Sequence, residues 1–256
     1  FQFKVDSKKE KFEDFKVAIS STVKSLSNSE KTEVNFGDQI SVEKNSIKLP
    51  NIEYLNDKIN YEEVRAIADS KSLKVRFSDK EILKKFEPKG VISKKLYEIS
   101  EKIRCEKIGI SYFRGVKNNI EKYYQKRISG LDLKSSEDKI IESFENYLRV
   151  KFLDFKNESQ IDKKLKSYKK DLNEQFKTKI SELKDSMLDQ EKFNSLISQL
   201  ISNLSLDESI DEEEKREEEN NEKDKQPKPK DHEQKSKEKE EKNEEMSINS
   251  GVPDLE

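Results

Sequence analysis

The chain has 256 residues, 41% charged and 31% apolar, where an ordinary soluble domain is roughly 45–50% apolar. Its formal charge of −2 hides a division. Residues 206–256 carry 20 acidic and 10 basic side chains, and residues 1–205 carry 34 and 42. A single cysteine, Cys105, excludes an internal disulfide or a thiolate cluster, and a single histidine, His232, excludes a His-clustered zinc site. No run approaches the ~18 apolar residues of a membrane helix and no secretory signal is visible, so a cytoplasmic protein is expected. The first residue is Phe1 rather than methionine, as in a fragment.

Glu10 to Leu26 is predicted helical, with Phe12, Phe15, Ala18, Ile19, Val23 and Leu26 on one side. The period then changes. Alternation at Thr32–Phe36, Ile40–Val42 and Ser46–Leu49, with turn chemistry at Gly37 and Asn45, predicts a small antiparallel β-element. A helix capped by Asp57 or Asn60 runs to about Arg76, and a short one over 79–86 is capped by Ser78 or Asp79. Pro88-Lys89-Gly90 then launches one long amphipathic helix, Val91 to Ile128, which Gly130 ends.

Its stripe is Ile92, Leu96, Ile99, Ile103, Ile110, Phe113, Val116, Ile120 and Tyr124, with one gap of seven residues after Ile103. Gly109 and Gly115 interrupt it, each at a cost of roughly 1 kcal/mol against alanine. A glycine kept there implies close approach of another backbone, or a bend. Helices over about 136–153, 159–187 and 190–204 follow. The expected architecture is mainly α: a multi-helix domain over 1–205 with the β-element near its N-terminus. A disordered charged tail over 206–256 follows, too poor in apolar side chains to offset chain entropy.

No G-x-x-x-x-G-K-[ST] is present to cradle nucleotide phosphates. A Cys–His nucleophilic pair would need His232 from the tail, and Cys105 is more simply a small residue beside the helix stripe. No carboxylate pair stands out as an acid/base couple. Lysines are interleaved with acids, the pattern of a solvated helix face and not of a nucleic-acid surface, so Tyr123 and Tyr124 read as helix contacts. No catalytic, cofactor-binding or metal-binding residue is expected.

Several sparse motifs remain, in order. Arg65, Ala68, Asp69 and Ser70 precede Leu73 and Arg76; Pro88 and Gly90 follow; then come Glu101, Arg104, Glu106 and Gly109, and finally Gly115, Val116 and Asn119. This set resembles the N-terminal region of the CobT family, subunits of the aerobic cobaltochelatase. That family looks like R-G-x-A-D-S-x-A-L-R-L-R, P-x-G, E-Q-A-R-x-E-x-x-G and G-V-x-x-N-L. The family's E-Q-A-R reads Glu101-Lys102-Ile103-Arg104 here, and its basic-Met stretch reads Ile110-Ser111-Tyr112-Phe113.

The resemblance covers about residues 10–205, and the acidic linker fits the family's layout. The family's C-terminal von Willebrand A domain, and the metal contacts attributed to it, have no counterpart in this sequence. The resemblance implies a non-catalytic accessory region of an ATP-dependent ligase that inserts Co²⁺ into a corrinoid ring. Its partners would be an AAA+ ATPase subunit and a large chelatase subunit in a hetero-oligomer. ATP, Mg²⁺ and Co²⁺ belong to the complete complex. Alternatives are a von Willebrand A/AAA+ pair remodelling another protein, and a stand-alone helical interaction protein. Arg65, Asp69, Arg76, Glu101, Arg104, Glu106, Gly109, Gly115 and Asn119 are the candidate partner-contact or family-motif residues. An i,i+3 pair within one helix is the plain reading of Glu101 and Arg104, and an i,i+4 pair that of Arg65 and Asp69.

Overall fold

The computed structural model describes residues 2–37, 40–42, 46–50, 61–131, 135–156 and 172–204, with the backbone alone over 2–10. All of these fall in one compact unit, Phe1–Arg216. The expected tail, the caps at Asp57 and Asn60, the turn at Asn45 and the first part of the predicted 159–187 helix, residues 159–171, lie outside the described residues.

The fold is mainly helical with a small sheet near its N-terminus. Helix α1 (Gln2–Ser27) leads to β1 (Glu33–Gly37), β2 (Ser41–Val42) and β3 (Ser46–Pro50). The sheet order is β1-β3-β2. β2 lies antiparallel to β3, as expected, whereas β1 pairs parallel to β3, with Val34 opposite Ile47 and Phe36 opposite Leu49. β2 provides the return leg that lets the first and third strands run the same way. Ile47 and Leu49 point into a small core with Phe12, Ile19, Val23, Val64 and Ala68, so the sheet covers α1 and α2 (Tyr61–Phe77).

Short α3 (Lys80–Lys85) starts where the Asp79 carboxylate accepts from the Glu81 and Ile82 amides, so of the two caps the sequence offers, Ser78 and Asp79, it is Asp79 that serves. Gly90, at φ 95°, adopts a left-handed conformation that favours glycine and starts α4 (Val91–Tyr112). The expected long helix is in fact two. Phe113 turns extended (φ −123°, ψ 103°) between α4 and α5 (Arg114–Ser129), and Gly130 caps α5. The break lets α4 pack on α2 and α6 while α5 folds back onto α2.

Helix α6 (Ser136–Leu153), capped by Ser135, is buried at every residue from Glu142 to Arg149. A helical stretch at 172–176 is separated by turns at 177–179 from α7 (Ile180–Asp185), which interrupts the single helix expected there. The final helix, α8 (Gln190–Ser202), inserts Phe193, Ile197 and Ile201 into the main core. The Gln190 side chain bonds both the amide and the carbonyl of Asp79, which joins the starts of α8 and α3.

Candidate functional site: a buried ionic mesh and an open polar face

In the seven-residue gap of the α4 stripe, Arg104 and Glu106 are buried beside Cys105, Ile108 and Gly109, and Glu101 is buried just before it. Glu101, Arg104 and Glu106 are at most 2% exposed. Arg104 forks onto Glu101 through Nε and Nη2, each at 2.8 Å, and donates to the carbonyls of Phe77 (2.5 Å) and Met187 (2.9 Å). It therefore satisfies carbonyls at the end of α2 and in the turn before α8, groups that a helix end leaves without an internal donor. What reads as an i,i+3 pair within one helix is also a buried tie between three elements.

Glu106 accepts from Ser70 Oγ (2.6 Å) and from Arg149 Nη1 (2.7 Å). Arg149 also donates to Glu145 through Nε and Nη2, at 2.9 and 2.7 Å. Lys102 and Arg127 reach the same Glu145, and Arg127 forks onto Glu142. Burial opposes the charge on Glu145. Lys102, Arg149 and Arg127 outweigh it and hold the carboxyl well below the usual carboxylate range. Sequence reasoning missed Arg127, Glu142, Glu145 and Arg149. The available signal was the Glu145–Arg149 i,i+4 pair set among Phe144, Leu148 and Phe152, which leaves the charges little surface to occupy.

Gly109 lies in the same interior. A Cβ there would overlap the Leu73 side chain of α2, itself fully buried, so close helix approach within the chain accounts for this glycine. Cys105 is fully buried, and burial pushes its thiol well up, with Glu101 adding to the shift. It is unsuited to nucleophilic work.

The remaining motif residues gather at a surface groove between α1, α2 and the α4–α5 junction. The Asp69 carboxylate, 1% exposed, accepts from Arg65 Nε (3.1 Å) and from Asn119 Nδ2 (2.7 Å). Burial raises its pKa, and the Asn119 and Arg65 contacts offset part of that. Gly115 lines the groove with nothing within 4 Å of where a Cβ would sit. Close approach inside the fold thus explains Gly109 and not Gly115. Arg76 edges the groove, bonded to the Leu26 carbonyl and set against the rings of Phe77 and Phe113. Tyr112 stands 66% exposed at its rim.

Among the described residues, no three or more His, Cys, Asp or Glu side chains form a group able to hold a metal ion. None of the described helices is long and apolar enough to cross a membrane. A helical module with its charges neutralised inside and an open polar groove outside is the class of protein these observations define. A family model described as "Cobalamin biosynthesis protein CobT" matches residues 9–252. The chain belongs to the CobT family and is involved in cobalamin biosynthesis. No curated protein and no solved structure matches it.

Proposed function

We propose that this chain is a non-catalytic accessory region of an ATP-dependent cobaltochelatase, acting in the cytoplasm with an AAA+ ATPase subunit and a large chelatase subunit. In this reading Co²⁺ is cargo and ATP with Mg²⁺ belongs to the ATPase. The region assembles the complex and performs no chemical step. The groove around Gly115 is its docking face for the ATPase.

One observation carries the reading: the family-motif residues divide into two sets. Glu101, Arg104, Glu106 and Gly109 are engaged within the fold, whereas Gly115 faces open space beside Arg65, Asp69 and Asn119. A glycine whose Cβ position meets no other described residue suits the approach of a second chain. Arg65, whose side chain is 41% exposed, can offer donors to such a partner.

The test is a pull-down of the ATPase and the large chelatase subunit with the parent chain and with Gly115→Leu. The variant should melt like the parent and bind the ATPase at least about tenfold more weakly, a loss of 1.4 kcal/mol or more. Undiminished binding by a folded variant would remove the docking face. Capture of an ATPase that drives a protein remodelling target, with no chelatase subunit, would favour the remodelling alternative.

A further inference from the structure

A separate cleft of about 430 Å³ opens between α2, α4, α5 and α6. The charged mesh of Glu106, Glu145 and Arg149 contributes to its lining, and Ile67, Ile99, Ile120 and Ile141 supply apolar surface. Such a mixture of apolar wall and a few polar groups is the usual make-up of a small-molecule site.

The cations in the cleft are engaged unequally. Arg127 and Arg149 are held by carboxylates, Lys95 pairs with Glu137, and Lys102 pairs with Glu145. Lys71 and Lys74, one turn apart on α2, make no ion pair with any described residue. Lys71 is half-buried. Burial holds its ammonium below the ordinary lysine range, and Lys74 and Lys102 push the same way. Glu98, exposed at the rim, and Glu106 oppose the shift without cancelling it. A desolvated cation facing two like charges is an unfavourable arrangement that an incoming anion would relieve.

We propose that this cleft binds a small organic anion, its carboxylate, phosphate or sulfonate group held by Lys71 and Lys74 and its apolar body against the isoleucines. The site does not depend on the docking face, which lies on a different groove.

The experiment compares two fluorescent probes on the 256-residue chain: anilinonaphthalene sulfonate and its neutral counterpart, phenylnaphthylamine. One equivalent of the sulfonate should bind at least about tenfold more tightly than the neutral dye, and inorganic phosphate should compete with it. In a chain carrying Lys71→Gln and Lys74→Gln that preference should fall to near parity, with neutral-dye binding and melting temperature unchanged. Lys71→Met alone, which keeps the apolar stem, should lose most of the preference and guards against a double variant that does not fold. Equal affinity of the parent for both dyes would make the cleft a plain apolar pocket and overturn the proposal. So would a preference that survives in the folded variants.

Discussion

Two glycines in one apolar stripe have opposite surroundings, and single substitutions should separate them. Gly109→Ala places a methyl group against a buried Leu73. Overpacking of this kind costs about 1–3 kcal/mol, more than the roughly 1 kcal/mol of helix propensity that alanine adds. A lower unfolding midpoint in urea is expected, and a stabilised variant would refute the tight contact. Gly115→Ala meets no described residue, so its unfolding free energy should hold or rise by up to about 1 kcal/mol. Cys105 permits a third test. Its buried thiol should resist a disulfide reagent in the native chain and react at once in denaturant. Fast labelling of native protein would mean that α4 opens readily.

At the scale of elements, the ionic mesh makes α4 and α6 mutually dependent. Arg149→Met strands Glu106, and removing one partner of a buried pair costs about 3–5 kcal/mol. Thermal unfolding should show this as a large drop in midpoint. Glu145 adds a pH dependence of defined sign. Its folded-state pKa is depressed, so its contribution is full above the ordinary carboxylate value of 4.5 and is lost as pH falls below it. The stability gap between the parent and Glu145→Gln should therefore narrow as pH drops below 4.5. A gap constant to lower pH would show that the carboxylate is not held as described.

The helix ends at Asp79 and Gly130 were legible because a cap is a local signal carried by one side chain or one glycine. The break at Phe113 was not, because Ile110, Phe113, Val116 and Ile120 keep helical spacing straight through it. Only the packing of α5 back onto α2 requires the turn. The partner of β1 was likewise hidden: alternation identifies a strand but not which neighbour it pairs with. The candidate residues were found by motif, yet their division into buried and open sets needed the third dimension. Glu101 and Arg104 look the same in sequence whether in water or in the core.

For the whole molecule, we propose that folding is complete by residue 205. Leu204 still packs on the main core, and Phe193, Ile197 and Ile201 of α8 are fully buried in it. A chain ending at 205 should keep the melting temperature of the full chain. One ending at 189 loses those three side chains and should fail to give a cooperative transition. If the chain ending at 205 melted much earlier, the acidic residues beyond it would be part of the stable unit.

The mesh of Glu106, Glu145 and Arg149 also constrains how this sequence can change over time. An all-apolar replacement of such a cluster is often as stable as the original, or more so. A single step towards it nevertheless unbalances the cluster: losing Arg149 alone leaves Glu106 with the Ser70 hydroxyl as its hydrogen-bond donor among the described residues. Lysines on the surface can be exchanged one at a time, but these three positions form a locked combination whose members must alter together.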